Sequence, residues 1–534
     1  MIDLAAKPFY LKPEDIEWVN TTLAGMTTEE KAGQLFCVLF KECKPEEFEY
    51  VFNILKPGGC MYRVVPTERA IAATQNIYSR SKVPPLIAAN LEKGGNGIVT
   101  EGTLVGAPME IAATDDIGMA TKMAHACAAE ASAVGANWAF APIIDIDTNY
   151  RNPITNTRTF GSDPERVRRM GRAYVEEVQK MGLAASIKHF PGDGQDERDQ
   201  HLVTSINSMD CDPWMNTYGA AYKAGIEAGA LTAMVGHIMQ PAWTRRLNPG
   251  IKDEDIMPGT LSREMMQGLL RGELGFNGLI CTDATTMAGY TLAMSRRRAV
   301  PESIARGADM FLFARNLEED YGFMLQGIKD GIITPERLDE AVTRILATKA
   351  ALGLHRGAPE LDVEKATVKQ VLRFAKKYNK RVYAAISNMS IAMERRDFLQ
   401  QVDCFVCNQQ EAGLLFSDDY DHLSPAAMRE VLAANVHSAN IPCMVVTMGG
   451  QGAVYARANG ESGVVPAKKV DVIDTTGAGD AFFAGTVIGL TYGKNLPASC
   501  EIGSRLAASV ISITENVCPR FRPLEFGLDI PVLD

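Results

Sequence analysis

Short apolar runs alternate with amphipathic helical segments over roughly the first two thirds of the chain. Eight of these runs are candidate strands, and they read GQLFCVLF, PGGCMYRV, PPLIAANLE, NWAFAPIIDI, LAASIKHF, LTAMVGHI, GLICTDA and ADMFLFA. Between them lie segments such as DDIGMATKMAHACAAEASAVG and LSREMMQGLLRGELG, in which apolar residues recur at helical spacing. Eight βα units of this kind predict a parallel sheet closed into a (β/α)8 barrel of the TIM type.

A second α/β pattern follows the amphipathic helix TPERLDEAVTRILATKAALGL. It contains a helix VKQVLRFAKKY, three strands KRVYAAIS, VDCFVCN and CMVVTMG, a hairpin GAVYARANGESGVVPA, and long helices after Gly479. The polar stretch HRGAPELDVE between the two patterns contains Gly357 and Pro359, which favour a linker. We therefore predict a barrel over residues 1–354, a linker over 355–364 and a smaller α/β domain over 365–534.

Composition narrows the class of partner. The 534 residues are 46% apolar and 22% charged, as expected for a globular protein with a substantial core. The net charge of −11 argues against nucleic acid or an anionic membrane as the main partner. No signal peptide pattern and no apolar run of ~20 residues is found, and the eleven cysteines show no disulfide or metal spacing. These features predict a cytoplasmic enzyme or binding protein.

Barrel active sites lie where strands end and βα loops begin, so the polar residues that close the candidate strands deserve inspection. They are Asn90, Glu92, Asp145, Asp147, Lys188, His189, His237 and Asp283. Asp283 follows the seventh strand, and its carboxylate either caps a helix or projects into the barrel mouth.

The segment KHFPGDGQDERDQH, residues 188–201, is either a solvated loop or part of the site. Its position at the exit of the fifth strand favours the site. Asp199 and His201 are two residues apart, and a carboxylate bonded to one imidazole nitrogen makes a general acid/base. Retaining glycoside cleavage needs such a proton donor and a carboxylate nucleophile. Asp283 and the Asp199–His201 pair could fill those roles.

The segments KHFPGDGQDERDQH, NPITNTRTFGSDPERV, LSREMMQGLLRGELGFNGLICTDATTM and TTEEKAGQLF resemble glycoside hydrolase family 3. The resemblance is to the short, barrel-only β-N-acetylglucosaminidases, which carry an Asp-x-His pair in this loop. It implies that Asp283 is the nucleophile, that His201 is the acid/base and that no cofactor or barrel metal is needed. It also implies that the sugar hydroxyls are bound by residues of the barrel mouth, namely Lys188, His189, Arg158, His237, Asn90 and Glu92. The family commonly has a histidine where Asp193 stands here.

The tail contains DVIDTTGAGDAFFAG, in which two glycines immediately precede a helix. Backbone N–H groups and the helix dipole would then face one point, which is typical of an anion site. Asp480 beside it could accept a proton from an attacking hydroxyl, although a glycine-rich turn with a capping aspartate is the plainer alternative.

DTTGAGD resembles the signature of the ribokinase/PfkB sugar kinases, and NQQE and VTMGGQGAVY resemble two further motifs of that family. The resemblance implies an ATP and Mg²⁺ site formed by Gly477, Ala478, Gly479, Asp480, Asn408, Glu411 and Gly450. The family's first half, which builds most of the sugar pocket, has no counterpart here. We therefore expect nucleotide binding without efficient sugar phosphorylation.

Three functions follow as hypotheses. The first is a retaining exo-β-N-acetylglucosaminidase acting on small oligosaccharides, such as chitin or muropeptide fragments, with a kinase-like appendage. The second is a bifunctional salvage enzyme that frees a sugar and phosphorylates it, and a β-glucosidase is a further alternative. The third is a regulatory or vestigial fusion whose tail offers an oligomerisation surface. A neutral histidine acid/base would also repel inorganic phosphate less than a glutamate does, so phosphate could replace water.

Overall fold

The computed structural model describes residues 2–359, 361, 375–376, 378–385, 393, 396–513, 522–526 and 528. Contacts divide the chain into two compact units, Met1–Val368 and Lys369–Asp534. The predicted helix over 368–378 lies largely outside the described residues, and so do residues 360 and 362–364 of the predicted linker.

The first unit is a parallel β-barrel surrounded by helices. Its ten strands are β1 (Phe36–Phe40), β2 (Gly59–Tyr62), β3 (Leu86–Ala89), β4 (Trp138–Ala139), β5 (Ala184–Phe190), β6 (Ser205–Ile206), β7 (Thr232–Val235), β8 (Ile238–Met239), β9 (Leu279–Thr282) and β10 (Phe311–Leu312). Eight of them follow the order β10-β1-β2-β3-β4-β5-β7-β9, and a bridge between Cys281 and Met310 closes the ring. All eight predicted strands are confirmed, while β6 and β8 form a separate pair outside the barrel.

Helices pack around the barrel between successive strands. They are α1 (Pro13–Ala24), α2 (Thr28–Gln34), α3 (Pro45–Ile54), α4 (Thr67–Ser79), α5 (Pro108–Ala113), α6 (Ile117–Ala133), α7 (Pro164–Lys180), α8 (Cys211–Trp214), α9 (Ala220–Glu227), α10 (Pro241–Leu247), α11 (Ala288–Thr291), α12 (Arg296–Ala305), α13 (Leu317–Lys329) and α14 (Pro335–Ala351). Local sequence sets their starts: Asp163 caps α7 and Thr334 caps α14, each followed by a proline. The segment predicted as an α-helix near residue 268 is a π-helix over Glu264–Glu273.

The barrel strands are almost entirely buried, and every residue of β5 is buried. Their apolar side chains form one continuous core with the inner faces of the helices. A rigid barrel therefore fixes the positions of the polar residues at its strand ends.

Within its described residues, the second unit is a five-stranded mixed sheet with helices. Its strands are β11 (Tyr383–Ala385), β12 (Cys404–Asn408), β13 (Cys443–Thr447), β14 (Ala453–Arg457) and β15 (Ser462–Val465), hydrogen-bonded in that order. Its described helices are α15 (Arg396–Leu399), α16 (Gln409–Phe416), α17 (Pro425–Ser438), α18 (Ala478–Thr491) and α19 (Leu496–Ile511). β11, β12 and β13 are parallel and β14–β15 is the predicted hairpin, so this α/β pattern is confirmed.

Helices α18 and α19 pack closely because glycines face each other across their interface. A Cβ atom on Gly485 would lie 2.7 Å from the Cα atom of Gly503. Among the described residues, no helix is both long enough and apolar enough to cross a membrane.

Candidate active site

Asp283 lies directly after β9, at the C-terminal end of the barrel strands. Its backbone N–H donates to the Val235 carbonyl oxygen at 2.8 Å, and its Oδ1 accepts from the Ala284 N–H at 2.7 Å. Burial alone would raise the pKa of the Asp283 carboxyl, but the neighbouring His189, the hydrogen bond from the Ala284 N–H and the charge of Lys188 outweigh that effect and lower it. The side chain is therefore an ionised carboxylate in the barrel mouth, as a nucleophile must be.

The predicted pair Asp199 and His201 does meet in the loop after β5. Asp199 Oδ1 lies 2.6 Å from His201 Nδ1 and also accepts from the His201 backbone N–H at 2.8 Å. Because Nδ1 is bonded to Asp199, Nε2 is the nitrogen left for a substrate. The His201 side chain is 46% exposed and that of Asp199 is 24% exposed, so the pair stands at an open rim.

Two backbone hydrogen bonds tie this loop to the loop that carries Asp283. The N–H of Ala288 donates to the His201 carbonyl oxygen at 3.0 Å, and the N–H of Gly289 donates to the Gln200 carbonyl oxygen at 3.1 Å. The loop that carries Asp199 and His201 and the loop that carries Asp283 therefore form one joined wall of the barrel mouth.

Glu92, Arg158 and Lys188 form a buried ion cluster that links the loops after β3 and β4 to the end of β5. The Arg158 guanidinium donates from Nε and Nη2 to the two Glu92 oxygens, both at 2.9 Å, and Lys188 Nζ donates to Oε1 at 2.7 Å. Burial raises the pKa of Glu92, but the two cations together hold it well below its usual range. All three belong to the predicted sugar-binding set, and the structure brings them together.

His189 and Asp193 share a second buried carboxylate, Asp145, at the end of the fourth barrel segment. Asp145 Oδ2 lies 2.6 Å from His189 Nδ1, and its Oδ1 accepts the Asp193 backbone N–H at 2.8 Å. Burial, together with the Asp145 charge, raises the pKa of Asp193 to about 6. Its side chain accepts from Asn152 Nδ2 at 2.8 Å and from Gln200 Nε2 at 3.3 Å. Asp193, where the family commonly has histidine, therefore braces the loop internally.

His237 corrects one prediction. Its ring is fully buried, with Nδ1 2.8 Å from Thr260 Oγ1 and Nε2 3.0 Å from the Ala284 carbonyl oxygen. A carbonyl can only accept, so Nε2 carries the proton and Nδ1 accepts from the threonine hydroxyl. Burial lowers the pKa of His237, which agrees with a neutral ring. Neither nitrogen is available to a sugar, so His237 supports Ala284, the residue after Asp283.

Asn90 also differs from the other predicted sugar-binding residues. Its side chain is exposed, and no hydrogen bond to it is formed within the part of the chain that the structure describes. Sequence reasoning missed Gln200, which is buried and whose side chain bonds to Asp193 in its own loop and to the His237 backbone N–H after β7. The only available signal was its position between Asp199 and His201.

The tail residues of the predicted nucleotide site also converge. A cavity of about 190 Å³ is lined by Asn408, Glu411, Thr447 and Asp480, among others. A neighbouring cavity of about 540 Å³ is lined by Gly450, Ala478, Lys468 and Lys469, among others. The two cavities share Thr447 and Gly479.

Local geometry explains this convergence. Gly477 precedes α18 with φ 79°, a conformation that favours glycine, and this turn leaves the N-terminus of α18 facing the cavities. Asn408 caps α16 and exchanges hydrogen bonds with Glu411, each at 2.8 Å. Within the described ranges, no cluster of three or more His, Cys, Asp or Glu side chains is arranged to hold a metal ion.

Comparisons with known families match both units. Residues 27–348 match the sequence model of the glycosyl hydrolase family 3 N terminal domain, which is more than half of the chain. Residues 334–515 match the model of the pfkB family carbohydrate kinases.

Among curated relatives, the chain is 54% identical over 357 residues to a "Beta-N-acetylglucosaminidase/beta-glucosidase" of Cellulomonas fimi. That match covers 67% of this chain and 63% of the relative. A "Beta-hexosaminidase A" of Pseudoalteromonas piscicida is 30% identical over 340 residues, covering 58% of this chain and 56% of the relative. The chain thus spans less than two thirds of either relative.

Among solved structures, "Beta-glucoside phosphorylase BglX" is 42% identical with a TM-score of 0.66, over 76% of this chain and 83% of that one. A glycoside hydrolase family 3 β-N-acetylglucosaminidase from Paenibacillus sp. str. FPU-7 is 27% identical with a TM-score of 0.58, over 66% and 69% of the two chains.

Proposed function

The chain belongs to glycosyl hydrolase family 3, and we propose that its barrel is a retaining exo-β-N-acetylglucosaminidase. The observation that carries the proposal is the Asp199–His201 pair, bonded at 2.6 Å and tied through the His201 carbonyl to the loop of Asp283. The name of the Paenibacillus relative supports this sugar, and the name of the Cellulomonas fimi relative gives it together with a β-glucosidase activity. The natural substrate would be a small oligosaccharide or muropeptide fragment in the cytoplasm.

In this mechanism the Asp283 carboxylate attacks the anomeric carbon while His201 Nε2 gives its proton to the glycosidic oxygen. The C–O bond breaks, the aglycone leaves as an alcohol and a glycosyl ester forms on Asp283. His201 then takes a proton from water, whose oxygen attacks the anomeric carbon and releases Asp283 with net retention. Asp199 holds the imidazole in one tautomer and stabilises its charged form in both steps.

The buried ion cluster supplies the sugar contacts. Lys188 Nζ and the Arg158 guanidinium each keep N–H donors beyond those used by Glu92, and these donors suit sugar hydroxyls. Glu92 holds both cations in place, so that sugar binding need not order them.

The discriminating experiment compares aryl β-N-acetylglucosaminide with aryl β-glucoside in the wild type, Asp283→Ala and His201→Ala. The proposal predicts preference for the N-acetyl sugar and loss of about 10³-fold or more in Asp283→Ala. His201→Ala should lose least on aryl leaving groups, which need little proton donation. Full activity in Asp283→Ala would contradict the mechanism.

A second reading is favoured by the likeness to β-glucoside phosphorylase. Arg158 and Lys188 carry two positive charges against one on Glu92, and the acid/base His201 is uncharged when deprotonated. Phosphate could therefore approach the glycosyl ester and displace Asp283, giving a sugar 1-phosphate. Measuring product release with and without inorganic phosphate decides between water and phosphate; an unchanged rate and no sugar phosphate would exclude phosphorolysis.

For the tail, we propose binding of ATP with Mg²⁺ and little or no sugar phosphorylation. The two adjoining cavities and the N-terminus of α18 support nucleotide binding, and Asn408 and Glu411 are the residues suited to the magnesium side. ATP would supply a transferable phosphoryl group, and Asp480, which lines the smaller cavity, would be the base for an acceptor hydroxyl. A bifunctional salvage enzyme needs this transfer, whereas a regulatory or oligomerising tail does not.

Titrating the full chain with ATP tests the tail. Binding that persists in Asp480→Ala, without sugar-dependent ADP release in the wild type, would support a nucleotide-binding tail without kinase activity. Sugar-dependent ADP release would establish the bifunctional enzyme, and no binding at millimolar ATP would leave a structural role.

A further inference from the structure

Gln200 is the residue between Asp199 and His201, yet it faces the opposite way from its neighbours. The residue is 1% exposed, whereas the His201 side chain is 46% exposed. A buried glutamine in a loop must satisfy its amide within the protein, and the two partners of this amide, Asp193 and His237, follow β5 and β7 respectively.

The amide orientation follows from those partners. Gln200 Oε1 accepts the backbone N–H of His237 at 2.8 Å, and Nε2 donates to Asp193 Oδ2 at 3.3 Å. A backbone N–H can only donate and an ionised carboxylate can only accept, so the side chain has one orientation that serves both. The backbone carbonyl oxygen of Gln200 accepts a hydrogen bond from the backbone N–H of Gly289.

Through these bonds Gln200 connects the acid/base loop to the nucleophile. His237 Nε2 donates to the Ala284 carbonyl oxygen at 3.0 Å, and Ala284 N–H donates to Asp283 Oδ1 at 2.7 Å. A continuous hydrogen-bonded path therefore runs from the residue beside His201 to the Asp283 carboxylate.

The surrounding glycines show how closely the parts are packed. A Cβ on Gly236 would lie 3.1 Å from Gln200 Oε1, and a Cβ on Gly289 would lie 2.8 Å from the Gln200 carbonyl oxygen. Neither position accepts a side chain without moving the loop. The location of the exposed Asp199–His201 pair is thus fixed from beneath by the buried residue between them.

We propose that Gln200 is a positioning residue that sets His201 at the glycosidic oxygen relative to Asp283. The role rests on the proposed glycosidase function. It differs from that of an ordinary core glutamine because loss of the amide should impair proton donation selectively, and not merely the stability of the barrel.

The test uses Gln200→Met, which keeps the length of the side chain and removes both amide bonds. The matched control is Gln195→Met, because Gln195 lies in the same loop but bonds to Ser208 instead of to the wall. Each variant is assayed as kcat/KM on a dinitrophenyl and a methyl β-N-acetylglucosaminide, and on the β-glucosides in parallel. The dinitrophenyl group leaves without a proton, and the methyl group requires one.

Gln200→Met should lose at least ~10-fold more on the methyl glycoside than on the dinitrophenyl glycoside, while Gln195→Met stays within about two-fold on both. In Gln200→Met, the basic limb of the pH profile of kcat/KM should flatten. The backbone N–H of His237 should also exchange its hydrogen with solvent faster. Equal losses on the two leaving groups, or no loss on either, would overturn the role of Gln200.

Gly289→Ala is a second variant that leaves Gln200 intact and pushes against its carbonyl oxygen. It should show the same leaving-group signature, and a uniform loss would count against the proposal. If the wild-type chain cleaves neither the glucoside nor the N-acetylglucosaminide, the proposed function fails and the role of Gln200 falls with it. An active wild type with a flat response in both variants overturns the role alone.

Discussion

The Arg158 guanidinium lies side-on to the Glu92 carboxylate, with two parallel hydrogen bonds of 2.9 Å between them. Lys188 shares the same carboxylate at 2.7 Å, so one buried anion holds two cations at the barrel mouth. Such an arrangement is costly to break, because removing one partner leaves uncompensated buried charge.

Glu92→Gln should therefore weaken both substrate binding and the fold. We expect the free energy of unfolding to fall by about 3 kcal/mol and KM to rise by about 10-fold, because the two cations repel each other and lose their fixed positions. Urea unfolding and steady-state kinetics measure the two effects. Glu165→Gln is the control, since the exposed Glu165–Arg168 pair should contribute less than about 1 kcal/mol.

Asp199→Asn removes the charge beside His201 and keeps the shape. An amide stabilises the imidazolium less than a carboxylate does, so kcat/KM on a methyl glycoside should drop by about 10- to 100-fold. The exposed Glu197 in the same loop provides the comparison, because Glu197→Gln should leave the rate unchanged. If Asp199→Asn kept the wild-type rate on poor leaving groups, the dyad would not be the acid/base.

Asp193 should make stability depend on pH. Its pKa is about 6 in the folded protein and near 3.8 when unfolded, so the folded state binds the additional proton between these values. The contribution of Asp193 to the free energy of unfolding therefore falls by roughly 2–3 kcal/mol as pH rises from about 4 to about 6. Asp193→Asn should lack this decline. Chemical denaturation of both proteins across this pH range measures it, and parallel curves would contradict the assignment.

Lys349 in α14 is fully buried, and its Nζ donates to Gln34 Oε1 at 2.6 Å. Burial lowers the pKa of Lys349 from 10.5 to about 7, so between pH 7 and 10.5 only the unfolded state holds the proton. The free energy of unfolding should rise with pH across that window. The cost of burying the protonated Lys349 is fully present below pH 7.

Lys349→Met should consequently stabilise the barrel by about 2 kcal/mol at pH 7, after allowing for the unpaired Gln34 oxygen. The gain should vanish near pH 10. The exposed Lys180 gives a matched variant, Lys180→Met, whose stability should follow the wild type at every pH. A pH-independent difference for Lys349→Met would show that the lysine is charged in the fold.

Gly503→Ala should destabilise the second unit. A Cβ there would lie 2.4 Å from Thr486 Oγ1 and 2.6 Å from the Phe482 carbonyl oxygen, so α18 and α19 would have to separate. We expect a loss of about 1–3 kcal/mol. Gly322→Ala on α13 meets no atom within 4 Å and should be neutral or stabilising. Thermal unfolding of both variants checks the difference.

The sequence by itself determined the elements and the identity of the chemical groups. Periodicity was enough for the eight barrel strands and the β14–β15 hairpin, because alternation of apolar runs and helices is a local property. The contact between Asp199 and His201 could also be predicted from the sequence, because two residues of one loop need no distant partner to meet.

Only the tertiary structure decided which residues contact each other between the loop of His201 and the loop of Asp283. His237 looked like a sugar ligand because it ends a strand, but Thr260 and Ala284, both distant in sequence from it, occupy its two nitrogens. Gln200, which separates Asp199 from His201 in the sequence, is buried. Side-chain partners of this kind are set by how the closed barrel brings strand ends together, and no local pattern encodes those distances.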